Sequence, residues 1–324
     1  MASWVDDHRD HVGFGLQAFP LPDDAEPTRR VLEAGRLADA LDLDAFFIGD
    51  HPAYAPEPWL HLAALAATTE RIRLGSIVSC ALYRHPVMTA RLAADLDQLS
   101  AGRVLLGLGI GWNASEFARL GLSFPAVPDR QAALEEVVAI IRGVWGPAPF
   151  SFDGRFFSTA DEQVTPPPIQ RGGPPLIIAG GGERVTLRQV ARLADACNFG
   201  PGHATGQVRS AEDVRRKLAV LRQHCEEVGR PYADILRTHF TTWLMLAEDD
   251  AGARAKLDRY YPDGLDDEKR FSRVALTPDA AVAYYQNLVD AGMQYFVVQT
   301  LDAGDTETIH LLATEVAPRV LARP

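Results

Sequence analysis

Cysteine is scarce in this 324-residue chain: Cys80, Cys197 and Cys225 stand far apart, an odd number with no CxxC and no Cys/His cluster. That argues against a disulfide framework and a structural zinc site. It fits a reducing compartment, so a cytoplasmic location is expected. Long apolar runs are also missing. Nothing approaches the roughly 18 residues a membrane span needs, and the opening "MASWVDDHRDHVGFG" has no apolar stretch of the signal-peptide kind. Positive charge is in deficit, with 32 Lys+Arg against 43 Asp+Glu and a formal net charge of −11. Broad contact with nucleic acid is therefore not expected, although a local basic pocket for a small anion is compatible with such a balance. His61, His85, His203, His239 and His310 have no metal-ligand spacing, and neither HxH nor HExxH occurs, so no metal is expected. GxSxG is absent as well, which removes the α/β-hydrolase nucleophile.

What is present is a regular alternation. Apolar runs of strand length, "VGFGLQAF" (12–19), "DAFFIGD" (44–50), "IRLGSIVSCA" (72–81) and "GRVLLGLGIG" (102–111), are separated by amphipathic stretches of helix length. The second half repeats the rhythm with "PLIIAG", "DACNFG", "LRTHFTTWLMLAE" and "QYFVVQT". Continuous rather than alternating apolar strands indicate burial on both faces. About eight strand–helix units over the whole chain predict one α/β domain, 1–324, folded as a (β/α)8 barrel, with a doubly wound sheet as the other candidate. Two stretches interrupt the rhythm. Residues 147–175, after the fourth strand, contain "FDGRFF" with a hairpin signal at Asp-Gly. Residues 259–276, after the seventh, form an irregular charged insertion. Insertions of this kind in barrels tend to be working loops.

Barrel chemistry sits at the C-terminal ends of strands. The second strand ends in Asp50-His51, a proton-exchanging imidazole beside a carboxylate, or alternatively a helix cap followed by a surface histidine. The fifth strand runs into Gly180, Gly181 and Gly182 and then a helix start. Bare backbone amides and the helix N-terminus make that turn a candidate phosphate cradle, with Glu183 and Arg184 beside it. Gly107, Gly109 and Gly111 alternate at the end of the fourth strand. The lack of a direct helix start and of a following acidic residue rules out a Rossmann fingerprint. Two readings stay open there: a flat ring against bare backbone, or close packing of elements. Asn113 and Glu116 have N-cap spacing, so Glu116 is expected to cap a helix rather than act as an acid. Trp112 either packs on a ring or closes the barrel end. His239 and Trp243, four apart on one strand, are expected on the same face, lining the mouth or filling the core.

In this order, "RIRLGSIVSCALYRHPVMTARLAADLDQLSAGRVLLGLGIGWNASEFARLG" and "PPLIIAGGGERVTLRQVARLADACNFG" resemble the bacterial luciferase-like flavin and deazaflavin oxidoreductases, and the likeness extends over nearly the whole chain. The resemblance implies a tricyclic redox ring at the barrel mouth and a non-prolyl cis peptide behind it, at Ile77–Val78, with Ser79 at the ring edge. It implies a cofactor phosphate at Gly180 to Arg184. Asp50-His51 and "GGGERVTLRQVARLADACN" look most like the branch that uses coenzyme F420. There His51 would move a proton, Asp50 would orient it or bond the ring, and hydride would pass to or from a small organic substrate. The other implied readings are an FMN-dependent monooxygenase fed by a separate reductase, and a non-catalytic barrel whose pocket is crowded by Trp112 and Leu82-Tyr83. The resemblance also implies that sugar-phosphate dehydrogenases of this family carry a glutamate where Trp112 stands here, which counts against a sugar phosphate as substrate. A homodimer face on the second and third helices is implied too, although core packing accounts equally for their Ala and Leu content.

Overall fold

The computed structural model describes residues 4–21, 23–267 and 269–322. A short helix α1 (Trp4–Asp7) precedes β1 (Gly13–Ala18), α2 (Pro27–Ala40), β2 (Ala45–Ile48), α3 (Pro58–Ala66), β3 (Arg73–Cys80), α4 (Pro86–Leu99) and β4 (Val104–Gly109). Then come α5 (Ala114–Arg119), α6 (Val127–Val144) and a hairpin of β5 (Phe150–Asp153) and β6 (Ser158–Glu162). The alternation resumes with β7 (Leu176–Ala179), α7 (Thr186–Leu193), β8 (Ala196–Phe199), α8 (Ala211–Val228), β9 (Leu236–Leu246) and α9 (Asp250–Tyr260). It closes with β10 (Val274–Leu276), α10 (Pro278–Asp290), β11 (Tyr295–Thr300) and α11 (Thr306–Leu311).

The parallel strands run in the order β9-β11-β1-β2-β3-β4-β7-β8, and β8 pairs again with β9. That closure makes the fold a (β/α)8 barrel and excludes the doubly wound sheet, which would leave two free edges. Side-chain parity explains why the strands read as unbroken apolar runs. On β2, Ala45 and Phe47 fill the barrel while Phe46 and Ile48 face the helices. On β11, Tyr295 and Val297 point inward and Phe296 and Val298 outward. Both faces are dry, so both need apolar residues. Trp4 packs edge-on against Tyr295 among the inward-facing residues, at the end where the strands begin. That leaves the opposite end, where the strands finish, for chemistry.

Helix starts follow local chemistry. His85 accepts the Val87 amide ahead of Pro86 at the first turn of α4, and Ser210 accepts the Asp213 amide at α8. The hairpin expected at "FDGRFF" forms, but its turn is not a tight Asp-Gly turn. Glu136 of α6 accepts the amides of Arg155, Phe156 and Phe157, and a Cβ at Gly154 would lie 2.5 Å from that carboxylate. The 259–276 segment is less irregular than its charge suggests, since its end supplies β10, which pairs in parallel with β9.

Candidate active site

The end of β2 places Asp50 and His51 side by side in sequence but in different networks. Asp50 is buried, and its carboxylate is held by Arg84, with Nη1 to Oδ2 at 2.5 Å, and by the Cys80 amide at 3.3 Å. Glu57 takes the other side of Arg84 at 2.9 Å. The group on His51 is Glu116, whose Oε2 lies 3.1 Å from Nδ1. Glu116 is 1% exposed, and the same oxygen accepts the Tyr83 hydroxyl at 3.2 Å. The expected helix-capping role for Glu116 does not hold. The cap of α5 is Asn113, whose side chain accepts the Ser115 amide, and Glu116 turns inward from the first turn of that helix. Among the described residues, the carboxylate that touches His51 is Glu116, while the Asp50 carboxylate is bound by Arg84 and the Cys80 amide.

Burial holds the Tyr83 hydroxyl well above its ordinary range, with the Glu116 carboxylate adding to the effect. Tyr83 therefore keeps its proton and donates to Glu116. With Tyr83 donating from one side, the Glu116 oxygen is an acceptor for His51 Nδ1–H. That arrangement assigns the proton of a neutral imidazole to Nδ1 and leaves the Nε2 lone pair for other work. Tyr54 stacks on the imidazole at 4.8 Å and 18°, and Trp112 meets it edge-on at 5.9 Å. Tyr83 is thus tied to Glu116, and Leu82 packs against the outer core.

The peptide Ile77–Val78 is cis, at the position the resemblance implied. The pairing of β3 with β4 shifts register there, between Ser76 and Ser79, and Gln17 Nε2 donates to the Ile77 carbonyl at 2.7 Å. The glycines of β4 serve this bulge. A Cβ at Gly107 would fall 2.2 Å from the Ser76 carbonyl oxygen, and one at Gly109 would fall 2.6 Å from Val78 Cγ2. Of the two readings open for these glycines, close packing accounts for them directly. Gly111 has φ +73°, lies against Phe117 and Cys80, and its carbonyl accepts from Arg130. Burial pushes the Cys80 thiol up to about 12, so it is an inert filler. Beside the bulge, two buried polar atoms lack a partner among the described residues: Ser79 Oγ and Gln17 Oε1.

At the end of β7 the three glycines turn sharply into α7, with Gly180 at φ +122°. Among the described residues no acceptor meets the amides of Gly181, Gly182 or Glu183. A Cβ at Gly181 would lie 2.8 Å from the Gly206 Cα, so the backbone here is packed against a second glycine loop. Arg184 is exposed beside the turn. Glu183 contributes no free carboxylate, being paired with Arg216 and Lys217. Lys217 of α8 is a cation that sequence reasoning missed. It is buried, its Nζ donates to the Gly181 carbonyl at 2.6 Å, and its position in "VRRKLAV" reads as one more surface charge. A groove of about 1140 Å³ opens along this turn toward α6.

His239 and Trp243 do not share a face. The pairing of β9 with β11 shifts register between Val298 and Thr300, and Trp243 sits at φ +47° within the resulting bulge. Leu244 and Leu246, not Trp243, continue the helix-facing side. His239 is buried 6.1 Å from the Phe296 ring on that outer side, and burial pushes it down to about 3, so it stays neutral. Trp243 instead lies under the Arg273 guanidinium at 3.5 Å. No metal-binding cluster of His, Cys, Asp and Glu occurs among the described residues, and no helix there is long and apolar enough to cross a membrane.

Known proteins with this architecture place the chain. It is 30% identical over 321 residues to an F420-dependent glucose-6-phosphate dehydrogenase of Beutenbergia cavernae, covering 89% of this chain and 92% of that one. A Microbacterium testaceum protein of the same description is 27% identical, covering 90% and 94%. The coenzyme F420-dependent tetrahydromethanopterin reductase of Methanopyrus kandleri superposes with a TM-score of 0.78 at 20% identity, covering 96% and 99%. An FMN-bound type II Baeyer–Villiger monooxygenase component of Pseudomonas putida reaches 0.79 at 18%, covering 97% and 100%. At those identities the solved structures speak to the fold alone. The model of the luciferase-like monooxygenase family matches residues 12–310, and the chain is a member of that family.

Proposed function

We propose that this chain is a coenzyme F420-dependent oxidoreductase in which His51 gives or takes the proton that accompanies hydride transfer to a small organic substrate. The observation that carries the reading is the His51–Glu116–Tyr83 chain at the mouth of the barrel. The relatives at 27–30% identity over about nine-tenths of the chain support F420 over FMN.

The residues present fit such a cofactor. The two orphaned polar atoms, Ser79 Oγ and Gln17 Oε1, suit the polar edge of a ring held against Ile77–Val78. The amides of Gly181, Gly182 and Glu183, with Arg184, suit its phosphate, while the Gly180 amide is taken by the Asn198 carbonyl. Gly109 leaves room for Val78, and Gly111 for Cys80 and Phe117, behind the place expected for the ring. When bound, the deazaflavin supplies hydride chemistry without oxygen activation. The protein supplies the proton path. Neutral His51, its Nδ1–H held by Glu116, accepts a hydroxyl proton at Nε2, and the imidazolium returns it in the reverse direction. Asp50 stabilises the site through Arg84 and the Cys80 amide.

Absorbance titration with coenzyme F420 and with FMN tests the assignment. Saturable F420 binding with no FMN binding is the expected result. FMN binding with substrate-dependent oxygen uptake would replace it with the monooxygenase reading, and binding of neither would leave a non-catalytic barrel.

Glu116 has its own test. Glu116→Gln removes the carboxylate and can present an amide N–H to Nδ1, which favours the wrong tautomer; turnover is expected to fall by about 10²–10³-fold. The imidazole ¹⁵N shifts of His51 should move with it while cofactor affinity holds. Unchanged ¹⁵N shifts would mean Glu116 only packs.

A further inference from the structure

We propose that the mouth around His51 selects a neutral, largely apolar substrate bearing one hydroxyl or carbonyl group, and rejects phosphorylated ones; this rests on the oxidoreductase reading above. Two observations carry it. The first is the wall around the imidazole. Tyr54 stacks on one side, Trp112 approaches edge-on, and Phe19 lies 6.4 Å away. Tyr54 is 53% exposed and Trp112 58%, so large aromatic faces stand in water beside the candidate catalytic group. Exposed apolar surface of this kind, gathered around one polar atom, is the lining of a small-molecule site rather than of a fold.

The second is charge. Asp50, Glu57 and Glu116 place three carboxylates in this corner. The cations there are already engaged. Arg84 is shared between Asp50 and Glu57, and Arg130 is buried with its guanidinium 3.9 Å over Phe124 and bound to the Gly111 carbonyl. A phosphate dianion entering here would meet net negative charge, with no unengaged guanidinium or ammonium among the described residues of this corner to receive it. A neutral alcohol needs only one acceptor for its O–H, and a ketone one donor. His51 Nε2 supplies either according to its protonation state.

Isothermal titration of benzyl alcohol into protein saturated with coenzyme F420 and into protein alone tests this, with glucose 6-phosphate as the charged comparator in the saturated protein, where the cradle at the end of β7 is filled. Benzyl alcohol is expected to bind saturably, and Trp112→Ala and Tyr54→Ala to weaken it each by about tenfold, as the loss of an aromatic face predicts. Both side chains are exposed, so neither replacement threatens the fold. Glucose 6-phosphate should give no saturable heat. Tighter binding of glucose 6-phosphate, no saturation by benzyl alcohol, or benzyl alcohol affinity unmoved by both replacements would overturn the proposal. If coenzyme F420 itself fails to bind, the oxidoreductase reading falls, and benzyl alcohol titrated into the protein alone and into the two variants still tests the apolar mouth.

Discussion

His51→Ala is expected to lower kcat by about 10²–10⁴-fold, the range lost with a positioned general acid–base, while leaving the cofactor dissociation constant nearly unchanged. The reasoning is geometric. His51 makes its hydrogen bond to Glu116 through Nδ1, and its ring is braced by Tyr54 and Trp112. The phosphate cradle proposed for the cofactor lies on different strands, at the end of β7. Removing the imidazole therefore deletes the proton acceptor without touching the cradle. The replacement also leaves the Glu116 carboxylate, 1% exposed, with only Tyr83 as a side-chain partner among the described residues, so some loss of stability should accompany it. Steady-state kinetics beside an F420 absorbance titration separates the two effects. Turnover that survives the substitution would end the catalytic role of His51. A parallel collapse of turnover and cofactor affinity would mean that the ring positions the cofactor instead.

Arg184→Glu is expected to raise the cofactor dissociation constant roughly 10–100-fold, because a charge-assisted contact to phosphate is replaced by repulsion. The exposed Arg184 is a cleaner probe than the glycines around it. At Gly181 any side chain would run into the Gly206 backbone, so a substitution there would disturb the loop as well as the ligand. The affinity of the unmodified protein should fall with added salt, and that of the variant should respond less or in the opposite sense. Titrations at two ionic strengths read both. An unchanged dissociation constant would move the phosphate away from the end of β7.

Much of this was legible from residue order. Unbroken apolar strands alternating with amphipathic helices require two dry faces, which leaves a closed barrel or a doubly wound sheet, and the β8–β9 pairing decides for the barrel. The hairpin at 150–162 was legible through Asp153-Gly154, although Glu136, distant in sequence, holds its turn. The glycines at 180–182 marked a backbone turn because side-chain loss is visible in the sequence itself.

The partners of the candidate residues were not legible in the same way. Asp50 and His51 are adjacent, and adjacency suggests a pair, but side chains one residue apart in a loop diverge. Glu116 reaches His51 across 65 positions of sequence, and its N-cap spacing pointed to a local role that Asn113 takes instead. Lys217 looked like one charge in a solvated helix face until α8 packed it under Gly181. His239 and Trp243 obeyed a period of two only until a bulge added a residue.

By itself, then, the sequence determined the strand–helix alternation, the strand ends where chemistry is expected and the bare turn suited to an anion, because each depends on local periodicity or on missing side chains. Only the tertiary structure decided that Glu116 serves His51, that Asp50 is committed to Arg84, and that Gly107 and Gly109 yield their space to the β3 bulge. Those outcomes depend on which side chains meet when the ring of strands closes, and contacts across that ring are independent of separation along the chain.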